Sequence, residues 1–359
     1  MRKQLAGAAV LAGTLAVALA ARGAQAQERY ALDGPRVAIY NLAGQVSVEP
    51  GAGQSVAVIV TRGGADAGQL TVRRGEGDGT RTLAVVYPGD RVVYPALGRG
   101  SNTTIDVRTD GTFGSVGGSV GGRWFGGGGR QVRVSGAGGG TEAWADVRVQ
   151  VPAGRTVTIH LAAGRVDVAN VSGDLRVRGH AAAIRASGTR GSLDLDTGSG
   201  AIELRDAQGD INLDTGSGGV TVNGVSGGVL DVDTGSGRVE GGDLRVGRLH
   251  VDVGSGGVRL GGVSARDVDI DTGSGSVNLA LSADAESVRI DTGSGGVVLA
   301  VPRQFGASAE IDTGSGGIHV LVPTEVTRST RSHFTGRFGD GRGRLVIDTG
   351  SGGVQVVGS

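Results

Sequence analysis

The sequence contains no cysteine. Disulfides, thiolate metal sites, cysteine nucleophiles and the lipidated cysteine of a bacterial lipoprotein are therefore excluded. A chain of 359 residues without these cross-links must be held by side-chain packing and backbone pairing.

Aromatic residues and proline are scarce, and glycine is abundant. Aromatic residues make up 3% of the chain and prolines number 7, whereas 72 residues are glycine. Collagen is excluded because the glycines do not recur at every third position and proline is rare. A chain rich in Val, Ile, Leu, Gly and Asp is typical of short strands joined by tight turns.

The first residues have the pattern of a secretory signal peptide. Two cations precede a run of small and apolar residues that ends at Ala24-Gln25-Ala26, an A-x-A cleavage site. We expect residues 1–26 to be removed and the mature chain to begin at Gln27. An uncleaved membrane anchor is the weaker alternative, because the apolar run is short for a membrane span. The sequence after it predicts no further span.

Lysine is nearly absent, since Lys3 is the only one among 35 basic residues. Removing Arg2, Lys3 and Arg22 leaves 32 cations against 35 acids, a formal charge of −3 for the mature chain. This balance argues against binding to nucleic acid or to an anionic membrane.

An internal repeat dominates the second half of the chain. The pattern Asp-x-Gly-Ser-Gly occurs eight times, with successive spacings of 18, 19, 19, 19, 20, 21 and 36 residues. Its aspartates are Asp196, Asp214, Asp233, Asp252, Asp271, Asp291, Asp312 and Asp348. A spacing that varies narrowly around 19 predicts a solenoid whose coils tolerate small insertions.

One unit, "DTGSGGVTVNGVSGGVLDV" at residues 214–232, contains two strands and two turns. In the next unit Leu249, Val251 and Val253 alternate with His250 and Asp252, so the aliphatic side chains should point inward. One coil buries too little apolar surface to fold alone. The sequence therefore predicts an all-β fold, a parallel β-solenoid of about ten coils of 18–21 residues with two strands per coil.

The string "IDTGSG" around Asp291 also matches the catalytic segment of aspartic proteases. Such a protease needs two carboxylates that share a proton, each on its own lobe. Eight copies about one coil apart cannot form that geometry, and at Val253 the threonine of the motif is replaced. We therefore interpret the motif as a corner, in which the aspartate accepts main-chain N–H groups and the glycines supply positive φ angles.

The rest of the chain predicts three further regions. Residues 27–108 contain alternating segments that predict an irregular N-terminal β cap over the first coil. Residues 109–142 are rich in glycine and serine and predict a flexible loop that contains the aromatic pair Trp124-Phe125. The solenoid should occupy residues 143–359, with an insertion at about 324–343 that either covers its flank or contacts a ligand.

These segments resemble a known family. The secretory start, the strand pair "VAIYNLAGQVSVEPG", the segment "VRVQVPAG" before "GRVDVANVSGDLRV", and the tandem "LDTGSGGVTV" units are similar to the bacterial DUF4097 family of β-strand repeat proteins. A looser similarity is to the head domains of autotransporter-like adhesins. The resemblance spans roughly residue 36 to the end, and it implies an extracytoplasmic β-solenoid with an adhesin label but no catalytic residues.

The favoured function is a non-enzymatic scaffold of the bacterial envelope, periplasmic, surface-bound or secreted. It would bind a protein, a glycan or itself through the long sheet faces, with self-association through the solenoid edge. We expect no catalytic residue, no metal ligand and no cofactor. The outward positions differ from coil to coil, as a binding face or a solvated face would. They include Thr221, Glu240, Arg259, Asn278, Val298 and His319.

Two alternatives stay open. Stacked aspartates repel one another, and calcium would relieve the repulsion, but the nonapeptide of calcium β-rolls does not recur. A polysaccharide-active enzyme would need carboxylates clustered with basic groups. The five histidines are scattered, and we expect each to be satisfied or solvated, with those in strands pointing outward singly. They are His160, His180, His250, His319 and His333.

Overall fold

The structure is a computed structural model that describes residues 27–114 and 129–359. The predicted signal peptide and the pair Trp124-Phe125 lie outside the described residues. The described chain is all-β, and its only helical segments are two short 3-10 turns at Ala67–Gln69 and Pro95–Leu97.

The strands are numbered in chain order. The first ten are β1 (Gln27–Leu32), β2 (Arg36–Pro50), β3 (Val56–Gly63), β4 (Thr71–Gly77), β5 (Thr80–Val86), β6 (Arg91–Val93), β7 (Asn102–Val107), β8 (Arg130–Ser135), β9 (Thr141–Glu142) and β10 (Trp144–Val151). The next nine are β11 (Arg155–Ala169), β12 (Gly173–Ser187), β13 (Leu193–Thr197), β14 (Ile202–Gln208), β15 (Ile211–Thr215), β16 (Val220–Thr234), β17 (Val239–Val253), β18 (Val258–Thr272) and β19 (Val277–Leu281). The last eight are β20 (Ser287–Thr292), β21 (Val297–Val301), β22 (Ala307–Thr313), β23 (Ile318–Val320), β24 (Glu325–Ser329), β25 (His333–Phe338), β26 (Gly343–Thr349) and β27 (Val354–Gly358).

Repeats stack as parallel strands in register on two faces. On the first face, the strand before each Gly-Ser-Gly corner pairs with its equivalent one repeat away, as Leu193 does with Ile211 and Ile211 with Leu230. On the second face, the strand after the corner does the same, as Ile202 does with Val220 and Val220 with Val239. Long strands such as β16 bend from one face to the next.

The core is an aliphatic ladder between the two faces. Leu249, Val251 and Val253 are fully buried, as predicted, whereas Asp252 is exposed and His250 is partly exposed. Each buried aliphatic side chain stabilises the fold by about 1.5–3 kcal/mol, and neighbouring layers share that burial. Stacking therefore supplies the apolar contacts that one coil lacks.

The ladder begins earlier in the chain than predicted. β2 pairs with β11 in register from Arg36 to Val48, so it forms a layer of its own within the region predicted as an irregular cap. β10 lies between β2 and β3 on the second face, and β5 pairs with β2 on the first. Sequence analysis missed this layer because β2 has no Gly-Ser-Gly corner.

A second, four-stranded sheet lies beside the start of the ladder. It contains β6, β7, β8 and β9, with β8 antiparallel to β7 and parallel to β6. The predicted flexible loop at 109–142 therefore includes two strands, β8 and β9, from Arg130 onward. The alternating residues Val132 and Val134 of β8 are fully buried, and this burial forms a strand despite the glycine-rich composition of the segment.

The C-terminal strands do not stack in chain order. β26 pairs with β20 on one side and with β22 on the other, and β27 likewise lies between β21 and β23. The last repeat is thus inserted between the two repeats that precede it. The long spacing between Asp312 and Asp348 contains β23, β24 and β25, after which the chain returns to pair between β20 and β22.

The predicted insertion at 324–343 extends the first face. β25 pairs antiparallel with β22, and β24 pairs antiparallel with β25. Phe334 and Phe338 of β25 are buried against the core, and Phe338 contacts Phe305 edge-on at 5.9 Å. The insertion is therefore an antiparallel cover on the last layer of the ladder.

Candidate functional site

All eight repeat aspartates lie in one column on the outer side of the first face. In spatial order the aspartate column is Asp196, Asp214, Asp233, Asp252, Asp271, Asp291, Asp348 and Asp312. Because neighbouring strands lie about 4.8 Å apart, the carboxylates of adjacent layers are direct neighbours along this column. The eight aspartates occupy a single sheet, and no pair of them faces another across two lobes as the protease motif requires.

A basic residue lies at each end of the aspartate column. Arg178 precedes Asp196 in the register, with its Nε 3.6 Å from Oδ2 of Asp196. The Arg178 guanidinium also binds both carboxylate oxygens of Asp194, with Nη1 donating to Oδ1 at 2.8 Å. At the other end His333 pairs with Asp312 across the antiparallel strands β22 and β25. Arg178 was not singled out from the sequence, and His333 was named there only as one of the scattered histidines.

Four aspartates of the column have raised pKa values. Partial burial, followed by the charges of neighbouring aspartates, raises the pKa of Asp214, Asp233 and Asp271. Burial also raises the pKa of Asp196, although the Arg178 guanidinium acts in the opposite direction. The column is therefore a surface where negative charge is costly at neutral pH.

Threonine, not aspartate, makes the corner hydrogen bonds. Thr272 Oγ1 accepts the N–H of Gly275 at 3.0 Å and donates to the carbonyl of Gly256 in the preceding layer at 3.1 Å. The same pair of bonds recurs at Thr197, Thr215, Thr234, Thr292 and Thr349. The prediction of a self-capping aspartate was wrong: within the described chain no repeat aspartate accepts a main-chain N–H. The strand alternation turns threonine inward and aspartate outward.

Close packing between layers explains the corner glycines. A Cβ placed on Gly275 would lie 1.7 Å from the carbonyl oxygen of Gly256, and one on Gly295 would lie 1.8 Å from that of Gly275. The corner glycines of the repeats do not adopt positive φ, so that part of the prediction was also wrong. These glycines are required because each corner rests directly on the backbone of the next.

The histidines are not all scattered as predicted, because His160 and His180 both lie against Phe113, and His160 is not solvated. His160 points outward from the first face, yet it is only 4% exposed because Phe113 covers it. Its ring stacks on Tyr40 with centroids 4.3 Å apart and planes 7° from parallel. Burial, with smaller contributions from Arg178 and other nearby cations, lowers the pKa of His160 to about 4.

A groove follows the second face next to the corners. Its volume is about 660 Å³, and its floor is a column of small residues after the corner: Gly257, Ser276, Gly296, Gly353 and Gly317. We call it the glycine groove. One wall of the groove is formed by outward side chains of the second face. The predicted outward residues from Arg259 to His319 are neighbours in the register of the strands, and Gln355 lies between Val298 and His319. Arg238 closes one end of the floor.

Within residues 27–114 and 129–359, no three or more His, Cys, Asp or Glu side chains are grouped to hold a metal ion. That part of the chain also includes no helix with the length and hydropathy to cross a membrane.

Comparison with known proteins identifies a family. The family model described as Toastrack DUF4097 matches residues 155–357, more than half of the chain. No curated protein matches the sequence. One solved structure is similar, described as a "putative cell adhesion protein" from Clostridium sporogenes, with 8% identity over 93% of this chain and 99% of the other. Its TM-score of 0.20 does not establish a shared fold.

Proposed function

This chain belongs to the Toastrack DUF4097 family, and we propose that it is a non-enzymatic binding scaffold of the bacterial envelope. Its partner is a protein, a glycan or another copy of the chain. In this proposal the binding faces belong to a rod of about ten coils that begins with an N-terminal β cap.

The observation that supports a binding role is the contrast between the two sides of each strand. Inward positions repeat the same chemistry, as in Leu230, Leu249 and Val268, which stack in register. Outward positions in the glycine groove change from Arg259 to Asn278 to Val298 across successive layers. A regular backbone that presents a varied outer surface is the arrangement by which repeat proteins bind extended partners.

The proposed location follows from the first residues. A cationic start, a short apolar run and an A-x-A site direct a chain out of the cytoplasm. The absence of cysteine means that the fold needs no oxidising compartment for disulfides, so the periplasm, the cell surface and the medium all suit it.

The proposal is tested by fractionating cells that make the full chain and crosslinking the mature protein in place. We expect an N-terminus at Gln27, an extracytoplasmic fraction and a reproducible crosslinked partner. A cytoplasmic, uncleaved and uncrosslinked protein would contradict it. The same preparation tests the alternatives: turnover of acidic polysaccharides would indicate an enzyme, and a melting temperature lowered by a chelator would indicate a calcium-stabilised roll.

A further inference from the structure

We propose that the glycine groove binds a linear acidic oligosaccharide. The inference deepens the proposed scaffold function, on which it rests, by naming the site and the class of ligand. It depends on three features of the groove: a floor kept free of side chains, arginines and amides along it, and a spacing set by the strands.

The fold constrains the floor glycines far less than the corner glycines. A Cβ on Gly296 would lie 3.4 Å from its nearest neighbour, the carbonyl oxygen of Gly353, whereas one on the adjacent corner residue Gly295 would lie 1.8 Å from a carbonyl oxygen. Gly257 and Gly353 resemble Gly296, with nearest distances of 3.3 Å. Arg238 and Ser276 occupy the same column, so the backbone accepts side chains there. The open floor therefore calls for an explanation other than backbone geometry.

The charge of the groove favours an anion. Arg238 and Arg259 line it, and none of the residues that line it is a carboxylate. Glu240 lies directly beside Arg259 in the register and two residues after Arg238, with which it pairs at 3.6 Å, while Arg259 makes no ion pair with any described residue. Unlike Glu240, the repeat aspartates of this region lie across the corner, on the first face. The arginines of the second face would therefore attract an extended anion, and the aspartates of the first face would repel it.

The remaining groups favour a saccharide. Asn278, Gln355 and Ser276 supply amide and hydroxyl groups, which donate to and accept from sugar hydroxyls and carboxylates. Strands repeat about every 4.8 Å along the groove, close to the advance of one pyranose unit in an extended chain. No aromatic side chain lines the groove, so it lacks the stacking platform for neutral sugars, and binding must come from charge and hydrogen bonds.

The test measures binding of tetragalacturonic acid to the mature full-length chain by calorimetry at low salt, with its methyl ester as the uncharged ligand. We expect saturable binding of the acid and at least tenfold weaker binding of the ester. The double variant Arg238→Gln with Arg259→Gln should weaken binding of the acid at least tenfold. Gly296→Thr, which fills the floor, should do the same while the melting curve is retained.

Two matched variants serve as controls. Arg245→Gln removes an exposed arginine outside the groove, and Gly261→Thr adds a side chain where a Cβ meets nothing within 4 Å. Both should bind as the parent does. Absence of binding by the parent, equal binding of the ester, or unchanged binding by the groove variants would overturn the inference. Hexaglutamate that binds as tightly as the saccharide would overturn the choice of ligand class.

Failure of this inference is distinguishable from failure of the scaffold function. If the groove variants keep the crosslinked partner of the parent chain, the groove is not the binding site, but the scaffold role is retained. If the parent chain itself has no crosslinked partner, the scaffold role is contradicted.

Discussion

The Nδ1 atom of His333 lies 2.6 Å from Oδ1 of Asp312, and this contact ends the aspartate column on the side of the antiparallel cover. Arg178 has the corresponding position at the other end, beside Asp196. The eight carboxylates are therefore bounded by basic residues, while the members between them have like charges on both sides. Charge at the ends of the column should matter more for stability than charge at an ordinary surface position.

Replacing Arg178 by Gln should destabilise the fold. Asp194 is only 22% exposed in its side chain and would lose its bidentate partner, while Asp196 would lose the nearest cation. We expect a loss of about 1–3 kcal/mol at pH 7, the usual cost of leaving a partly buried charge without its partner. The loss should shrink near pH 4, because burial raises the pKa of Asp196, which takes up a proton as the pH falls. Chemical denaturation at the two pH values measures both quantities.

The matched control is Arg185→Gln, because Arg185 and its partner Glu203 are more exposed. A surface pair contributes about 0–1 kcal/mol, so this variant should stay close to the parent. Equal effects of the two substitutions would contradict the special position of Arg178.

The corner threonines predict a gain of stability at the one repeat that lacks one. Val253 is buried where threonine stands elsewhere, so the N–H of Gly256 and the carbonyl of Gly237 have no hydroxyl partner. Val253→Thr keeps the volume and should add about 1 kcal/mol. The reverse change, Thr272→Val, should cost about 1–3 kcal/mol by leaving two polar groups unpaired. Opposite shifts in the melting temperature would confirm this; two losses would refute it.

Adjacent glycines should respond differently to alanine. Gly295→Ala places a methyl group 1.8 Å from the carbonyl oxygen of Gly275, so two layers must separate. We expect a loss of more than about 3 kcal/mol, the range of severe overpacking. Gly296→Ala meets its first neighbour at 3.4 Å and should change stability by less than about 1 kcal/mol. Comparable melting temperatures for the two variants would disprove the packing role of the corner glycine.

The stacked ring of His160 predicts a loss of stability in acid. The unfolded chain takes up a proton at this residue near the ordinary pKa of 6.5, but the folded chain does so only at about 4. Stability from this residue is therefore complete above pH 6.5 and is lost as the pH falls towards 4, by about 3 kcal/mol. His160→Phe should remove this dependence, measured as the difference between the two stability curves over that window.

A second variant separates burial from other causes. Phe113→Ala uncovers the His160 ring, so water reaches it and the pKa of His160 should rise towards 6.5. The acid dependence should then become smaller although the histidine is still present. Parallel pH curves for the parent, His160→Phe and Phe113→Ala would show that His160 does not govern the acid limb.

The fold of one coil could be predicted because its physics is local. Alternation of Leu249, His250 and Val251 gives the inward face, and the spacing of the repeat gives the stacking of equivalent residues. The hydrogen bonds of the corner could not be assigned in the same way. Both the aspartate and the threonine can satisfy a main-chain N–H, and only the packing of one corner on the next selects the inward hydroxyl.

The order of the layers was beyond sequence reasoning for a different reason. The strings "IDTGSGG" at Ile290, Ile311 and Ile347 are the same, so any of these repeats can pair with any other in register. What decides the order is the cover made by β24 and β25, whose buried Phe334 and Phe338 occupy the far side of β22. Those aromatics were visible in the sequence, but their partner strand was not.

The inserted repeat predicts that removing the end of the chain is unusually damaging. Truncation before Gly343 deletes β26 and β27, which pair on both sides, and thereby exposes the edges of β20, β21, β22 and β23 together. We expect a large fall in melting temperature and aggregation through the open strands. Deleting residues 27–32 is the control, because β1 pairs with β3 alone and its loss uncovers one strand edge. A C-terminal truncation as well tolerated as this N-terminal one would show that β26 and β27 stack at the end of the ladder, in chain order.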